Sequence, residues 1–440
     1  MMFIPHKCDV VVIGGGPSGT MAATFLAQKG YEVVLLEKAK HPRLHVGENL
    51  IPHFWKYADL AKVSEKIVSD GFIEKAGGTV VWNGTIRKMS FKDFGYTRPA
   101  YHVERDRFDH ILLENTREQG AEVFEEIAVL AVDLDDSAER QTVKYRHVKE
   151  KTTGEILCRF VVDASGQGAV LGKQLGIRTV DEDFRFMSIW GYFKNSKYVG
   201  ADNQIYPCEK LRQIPPTTFV SSITETGDAG WSWHIPLRES TSVGLILPLD
   251  FMKTAKRSDE SWESYFIRKC YEIPILKDLL AEATFCEGSF AKIQDYSYRL
   301  TQVTGPGYFL LGDAAGFVDP IFSVGMILGM YSAYLATWAI DRSFKNPKSV
   351  ASNQALYTKQ LRGRYEVSRS LALPQYCSTG EVNEMAKNAV QFESLMEQEL
   401  MDVVSKMTTR SENFVSLAPR DKKGQKIESN RYRILDSIAL

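Results

Sequence analysis

The sequence is poor in several features that mark specialised classes of protein. Its net charge is only −1, from 54 Lys and Arg against 55 Asp and Glu, so bulk electrostatics do not point to nucleic acid. None of its six cysteines lie close enough for a C-x-x-C pair, which argues against metal ligation and against a disulfide framework. The longest apolar stretch, residues 324–340, contains Ser332 and is typical of a buried helix, so we do not expect membrane contact.

These absences fit a cytoplasmic protein. Unpaired cysteines suit a reducing compartment. The first predicted strand begins at Val10, and we therefore expect no cleaved signal segment before it. The 440 residues allow two or three domains, and the chain shows no internal repeat and no low-complexity segment.

The stretch from Val10 to Glu37 organises the rest of the chain. An apolar, β-branched run predicts a buried strand, and G-G-G-P-S-G then places three glycines in G-x-G-x-x-G spacing before a predicted helix. Gly14 permits the tight turn, Gly16 lets a pyrophosphate approach the backbone, and Gly19 lets the helix pack close to the strand. The helix N-terminus favours phosphate, and the carboxylate of Glu37, ending the second strand, is placed to accept hydrogen bonds from ribose hydroxyls.

Two later segments return the chain to the same predicted sheet. The run F-V-V-D-A-S-G ends a strand with Asp163 and Gly166 at its tip, and Y-F-L-L-G-D places Asp313 at the end of another. A helix beginning near Val324 points its N-terminus at this region. The glycines after Gly166 lack the third glycine of the fingerprint, so we expect one tightly bound nucleotide and no second site for a nicotinamide.

These motifs resemble those of the flavin-dependent monooxygenase superfamily, and within it the flavin-dependent halogenases. The superfamily features are G-G-G-P-S-G, V-D-A-S-G and G-D-A-A-G-F-V-D-P. The halogenase features are G-W-S-W-H-I-P at residues 230–236, which matches a W-x-W-x-I-P signature, and Lys75, which matches the lysine that those enzymes require. The resemblance implies FAD as the cofactor.

The resemblance and the patterning together predict the architecture. We expect an α/β fold: a doubly wound, Rossmann-like FAD-binding domain with an inserted antiparallel-sheet substrate domain and a helical C-terminal region. The FAD-binding domain would be discontinuous, residues 1–182 and 284–345. Alternating aromatic and β-branched residues favour the antiparallel sheet within residues 183–283, and residues 346–440 would form the helical region.

The candidate site residues follow from the fingerprint and the resemblance. Those expected to hold FAD are Gly14, Gly16, Ser18, Gly19, Glu37, Lys38, Arg43, Glu48, Arg105, Asp163, Gly166, Asp313, Pro320, Gly325 and Met326. Those expected to serve catalysis are Lys75, Trp231, Trp233 and Ser323.

The chemistry implied is halogenation of an electron-rich aromatic. A separate reductase would supply reduced flavin, and a halide held near Ser323 and Gly325 would be oxidised to hypohalous acid, which travels to Lys75. Trp231 and Trp233 would keep the organic substrate away from the flavin. The best match is to the branch acting on phenols, pyrroles or carrier-tethered aromatics, because Phe322 stands where tryptophan halogenases carry a glutamate.

Several alternatives stay open from sequence. The chain could be an FAD-dependent reductase of prenyl-type double bonds, a hydroxylating monooxygenase, or a flavin-binding protein without catalysis. The two tryptophans could be core residues on one strand face, and a lone lysine is usually a solvated surface charge.

Overall fold

A computed structural model describes residues 3–82, 84–94, 96–135, 139–226, 229–257 and 259–372. The helices in this part of the chain are α1 Pro17–Gln28, α2 Trp55–Leu60, α3 Ser64–Asp70, α4 Arg105–Glu118, α5 Val170–Gln174, α6 Leu249–Ala255, α7 Trp262–Glu272, α8 Pro274–Leu279, α9 Gly325–Lys345 and α10 Val350–Ala372.

The strands of the N-terminal part are β1 Val10–Ile13, β2 Val33–Glu37, β3 Ile73–Lys75, β4 Gly77–Trp82, β5 Thr85–Ser90, β6 Ala100–His102, β7 Glu122–Glu125, β8 Ile127–Asp133, β9 Gln141–His147, β10 Thr153–Cys158 and β11 Phe160–Asp163. The later strands are β12 Arg178–Val180, β13 Phe186–Lys194, β14 Tyr198–Val199, β15 Ile205–Tyr206, β16 Thr217–Ile223, β17 Gly230–Pro236, β18 Thr241–Pro248, β19 Thr284–Phe285, β20 Ala291–Gln294, β21 Tyr298–Leu300, β22 Thr304–Gly305, β23 Tyr308–Leu310 and β24 Gly316–Phe317.

A six-stranded sheet forms the centre of the first unit, in the order β22-β23-β11-β1-β2-β7. Its pairings are parallel except at the β22 edge. Strand β1 is buried at all four positions, as expected for a β-branched run covered on both faces. Helix α1 packs on this sheet and against α4 and α9. The predicted doubly wound domain is therefore confirmed.

The glycine turn after β1 is packed too closely for side chains. Gly14 has a φ of +103°, and a Cβ there would lie 2.5 Å from the carbonyl oxygen of Ala164. A Cβ on Gly19 would lie 1.9 Å from the carbonyl oxygen of Gly14. Strand, turn and helix meet at this point as the fingerprint predicts.

An eight-stranded sheet forms the second unit. Its order is β19-β13-β18-β17-β16-β4-β5, and β20 also pairs with β13. All neighbours are antiparallel except β16 and β4, which run parallel. Strands β4 and β5 precede residue 183, so this sheet takes strands from outside the range that the sequence suggested for it. The three domain ranges themselves stay a prediction.

The helical C-terminal region begins with α10, which packs against α9. The rest of the predicted helical region, residues 373–440, lies outside the described residues. No helix in the described ranges is both long and apolar enough to cross a membrane.

Candidate active site

The predicted ribose acceptor is fixed at the glycine turn. Glu37 is buried at the end of β2, and its Oε2 accepts a hydrogen bond from the backbone N–H of Gly15 at 2.6 Å. Its Oε1 accepts from the N–H of Ala39 at 2.8 Å. Each carboxylate oxygen keeps acceptor capacity for a hydroxyl. The neighbouring Lys38 is exposed.

The chain fits the pyrophosphate of a dinucleotide beside Gly16. Gly16 caps α1 without any side-chain hydrogen bond, so backbone N–H groups of the first turn face outward. A Cβ at Gly16 would come 3.6 Å from Nη2 of Arg43. The buried Nη1 of Arg43 has no hydrogen-bond partner, although it lies 3.4 Å from Oδ2 of Asp109. An unsatisfied guanidinium N–H beside an open helix N-terminus suits an anion.

A buried ion pair braces the loop before α2. Arg105 donates to both carboxylate oxygens of Asp109, at 2.8 and 3.0 Å, and to the carbonyl of Val46 at 2.8 Å. Glu48 is almost fully buried and accepts hydrogen bonds from the Tyr192 hydroxyl and from the N–H of Gly47. Burial raises the pKa of the Glu48 carboxyl. These contacts fix the loop that carries Glu48 against Arg105, which lies at the start of α4.

Two tyrosine hydroxyls bind the backbone of the predicted G-D-A-A-G-F-V-D-P motif, which begins at Gly312. The hydroxyl of Tyr365, on α10, donates to the carbonyl of Gly312 at 2.6 Å, and the hydroxyl of Tyr298 donates to the carbonyl of Asp313. A Cβ at Gly312 would lie 2.4 Å from Oγ of Ser18, so the motif packs directly on the fingerprint helix. Burial raises the pKa of the Asp313 carboxyl to about 6.

The carboxylate of Asp163 binds the backbone of the turn that follows its own strand. It is fully buried, and its oxygens accept from the N–H groups of Ser165 at 3.0 Å and Leu171 at 2.8 Å. Its carboxylate therefore shapes the turn that carries Gly166, whose φ is +61°. Direct contact of this side chain with a cofactor stays a prediction.

Ser323 lies just before the start of α9. It has a φ of +56°, and its N–H donates to the carbonyl of Pro320 at 3.0 Å. Its Oγ accepts a hydrogen bond from Nδ2 of Asn49 at 2.6 Å. Gly325 and the half-buried Met326 open the helix. The structure thus places the predicted halide region at a helix N-terminus, where anions are favoured.

Lys75 is buried, with 4% of the residue exposed. Its Nζ donates to Oδ1 of Asn49 and, at 3.1 Å, to Oγ1 of Thr218, and it lies 5.1 Å from the centroid of the Phe91 ring. No carboxylate in the described ranges forms an ion pair with it. Burial therefore lowers the pKa of this amine well below its usual range. The interpretation as a solvated surface charge is wrong for this lysine.

Sequence reasoning missed three side chains around Lys75. Asn49 joins the lysine to Ser323, and Thr218 joins it to His102, whose Nε2 lies 2.8 Å from Oγ1 of Thr218. Asn49 follows Glu48 directly, so its position in that loop was a usable signal. Thr218 lies on an ordinary strand and carries no motif.

Trp231 and Trp233 lie side by side on β17. Their ring centroids are 6.0 Å apart, and both residues are buried in the main hydrophobic core. Nε1 of Trp233 donates to Oγ of Ser242 at 3.1 Å, and its ring covers Gly244, where a Cβ would lie 2.1 Å from the ring. The last residue of this strand, Pro236, offers its carbonyl oxygen to Nδ1 of His102 at 3.0 Å. The tryptophan strand therefore contacts the Lys75 network through its backbone.

Comparison with known proteins matches this geometry to one family. The profile described as an FAD binding domain matches residues 7–349. The tryptophan 2-halogenase of Chondromyces crocatus is 33% identical over 368 residues, which is 83% of this chain and 67% of that protein. This chain belongs to the flavin-dependent halogenases. It is an FAD-dependent oxidoreductase of that family.

Other flavin-dependent halogenases support the assignment. A chlorinase of 1H-pyrrole-2-carbonyl peptidyl-carrier protein from Pseudomonas fluorescens is 33% identical over 378 residues, covering 81% of each chain. The solved structure of the myxobacterial chondrochloren halogenase CndH superimposes with a TM-score of 0.74 at 27% identity, covering 96% of this chain and 99% of that one. The chain spans about two thirds of the length of several curated relatives. The predicted fold, family and cofactor are confirmed.

Proposed function

We propose that this flavin-dependent halogenase halogenates an electron-rich aromatic of the phenol or pyrrole type, free or tethered to a carrier. The observation that carries the proposal is the buried amine of Lys75, which is linked through Asn49 to Ser323 at the N-terminus of α9. When bound, reduced FAD from a separate reductase would supply the electrons that bring dioxygen to the peroxide level. A halide would then be oxidised to hypohalous acid, and the second oxygen atom would leave as water.

The halide end of the site is the N-terminus of α9. Its first backbone N–H groups have no partners within the helix, and the helix dipole adds a partial positive charge. Ser323 holds this end in place through its left-handed backbone and its bond from Asn49. A halide anion bound there would lie beside Ser323, which two successive hydrogen bonds through Asn49 connect to the lysine.

The group that would receive the hypohalous acid is the amine of Lys75. A neutral amine has a lone pair that an ammonium lacks, and burial without a carboxylate partner favours the neutral form. Such an amine can orient hypohalous acid by hydrogen bonding. Alternatively its nitrogen can take the halogen as a haloamine, in which case the oxygen–halogen bond breaks and the hydroxyl leaves with an amine proton as water. Either role needs the amine to be shielded from bulk water, as its 4% exposure provides.

The substrate side is apolar. Trp231 and Trp233 form a buried aromatic wall, and Phe322, which is also buried, stands where a carboxylate would assist attack on free tryptophan. This favours phenols and pyrroles, whose rings are reactive without such help. One relative is named for tryptophan and another for a carrier-bound pyrrole, so both substrates belong in the test.

The experiment combines the FAD-loaded protein with a flavin reductase, a nicotinamide, oxygen and bromide. A panel of phenols, pyrroles, tryptophan and a carrier-tethered pyrrole is screened by mass spectrometry for the bromine isotope doublet. We expect brominated phenol or pyrrole and no product without halide. Oxygenated product in the absence of halide would indicate a hydroxylating monooxygenase instead.

The matched control is Lys75→Met, which keeps the volume and removes the amine. We expect halogenation to fall on the order of 10³-fold while FAD content and the oxidation of reduced flavin stay unchanged. Full product yield from this variant would remove Lys75 from the mechanism.

A further inference from the structure

The hydrogen bonds behind Lys75 have a defined direction. The carbonyl of Pro236 can only accept, so Nδ1 of His102, 3.0 Å away, carries the proton. A neutral imidazole has one N–H, which leaves its Nε2 as an acceptor. His102 is fully buried, and burial lowers the pKa of its imidazole well below the usual range, which is consistent with the neutral ring.

The direction of His102 sets the direction of Thr218. The hydroxyl has one proton, and Oγ1 lies 2.8 Å from the acceptor Nε2. The proton therefore points to His102, and Thr218 offers only a lone pair towards Nζ of Lys75 at 3.1 Å. Asn49 likewise presents its carbonyl oxygen to the lysine, because its N–H group is used by Ser323.

The amine of Lys75 thus contacts two hydrogen-bond acceptors, Asn49 Oδ1 and Thr218 Oγ1. A neutral amine has two N–H groups and one lone pair, and Asn49 and Thr218 take the two N–H groups. We infer that His102 is a positioning residue: by engaging the Thr218 hydroxyl proton, it keeps the lone pair of Lys75 free for an incoming electrophile. Without that acceptor, the Thr218 hydroxyl would be a donor within hydrogen-bond distance of the lone pair.

The inference predicts an unusual order among variants. His102→Asn can still donate to Pro236 but places no acceptor at the Nε2 position. The Thr218 hydroxyl can then turn and donate its hydrogen bond to the lone pair of Lys75. His102→Gln can place its amide oxygen near that position and keep the acceptor. Thr218→Val removes the competing proton altogether with little change in volume. We therefore expect the double variant His102→Asn/Thr218→Val to be more reactive than His102→Asn alone.

The first measurement avoids turnover. The FAD-loaded proteins are treated with cyanate, a small electrophile that carbamylates neutral amines, and the rate at Lys75 is followed by peptide mass spectrometry. We expect wild type and His102→Gln to react at similar rates, His102→Asn roughly tenfold more slowly, and the double variant to regain most of the loss. The inference is overturned if the double variant is as slow as His102→Asn, or if wild-type Lys75 does not react while exposed lysines do.

The second measurement is halogenation, for which the inference rests on the proposed function. The same order of rates is expected, with FAD content and melting temperature as checks of folding. Should His102→Asn fail to fold, Thr218→Val alone decides: we expect it within about threefold of wild type, and a loss as deep as that of Lys75→Met overturns the inference. Cyanate labelling in the predicted order with no halogenation by wild type would reject the proposed function and leave the role of His102 standing.

Discussion

Two regions of the molecule are built from different parts of the chain. One is the FAD cradle, the predicted cofactor site at residues 14–19 and 312–313, and the other is the lysine pocket around Lys75. The cradle consists mainly of backbone: glycines that leave room, a helix N-terminus, and carbonyls and N–H groups fixed by neighbours. The pocket consists of side chains from five separate segments, namely Asn49, Lys75, His102, Thr218 and Ser323. The free space around the glycines should therefore determine FAD binding in the cradle. The direction of the hydrogen bonds should determine the reactivity of Lys75 in the pocket. The two regions should respond differently to substitution.

The largest effect is expected within the cradle, at Gly19. Gly19→Ala would place a Cβ 1.9 Å from the carbonyl oxygen of Gly14, so strand and helix must separate. Gly16→Ala is the matched control, because its Cβ meets nothing closer than 3.6 Å and its φ is −77°. We expect Gly19→Ala to lose both FAD and folding stability.

Gly16→Ala should instead separate these two properties. The free energy of unfolding of the apoprotein should change by no more than about 1 kcal/mol, as for a modest loss of helix capping. FAD content, measured by visible absorbance, should fall because the pyrophosphate needs the space. A Gly16→Ala protein with full FAD content would contradict the placement of the phosphates beside Arg43.

The next effect is expected in the pocket, through the protonation of Lys75. In wild type the lowered pKa means that the neutral amine is present well below pH 10, so halogenation should rise with pH and level off early. Asn49→Asp places a carboxylate against the amine, which favours the ammonium and raises its pKa. The rising limb of the pH–rate profile should therefore move to higher pH by at least one unit.

Asn49→Leu serves as the control for that shift. It removes an acceptor from Lys75 and also the hydrogen bond to Ser323, without adding charge, so the rate should fall roughly tenfold while the rising limb does not move to higher pH. Identical profiles for Asn49→Asp and Asn49→Leu would show that the lysine does not titrate in the measured range.

The smallest effect is expected where a side chain supports the cradle from outside. Tyr365→Phe removes one hydrogen bond to the carbonyl of Gly312, a change worth about 1 kcal/mol. Thermal unfolding should show that loss, and FAD affinity should weaken by less than tenfold. Tyr298→Phe, which frees the carbonyl of Asp313, should behave alike. A complete loss of FAD from either variant would mean that the cradle depends on side chains as much as the pocket does.

The contrast between the two regions also explains what the sequence could reveal. Strand β1 begins at the predicted Val10, and α9 begins within one residue of the expected start. Each of these depends on a local pattern of glycines, apolar residues and helix spacing. Local patterns of this kind determine the course of the backbone. The cradle could be predicted from them because it consists mainly of backbone groups.

The pocket could not be predicted in the same way. Lys75 and Thr218 are 143 residues apart and meet because β4 pairs in parallel with β16, a contact that no local spacing encodes. The resemblance pointed to Lys75 and Ser323 but not to the residues that orient them. Asp163 shows the reverse problem: its motif is plain in the sequence, whereas the use of both its oxygens by backbone N–H groups is visible only in the fold.

The hydrogen bond between Asn49 and Ser323 joins residues 274 positions apart in the chain. During synthesis, therefore, the hydrogen bonds that lead from Lys75 through Asn49 to Ser323 cannot all form until almost three quarters of the polypeptide has been translated. A fragment that ends before residue 323, whether from interrupted translation or from proteolysis, lacks this hydrogen bond, and we expect it to lack the proposed halogenating activity. The proposed chemistry would thus be confined to molecules that have been translated and folded through residue 323.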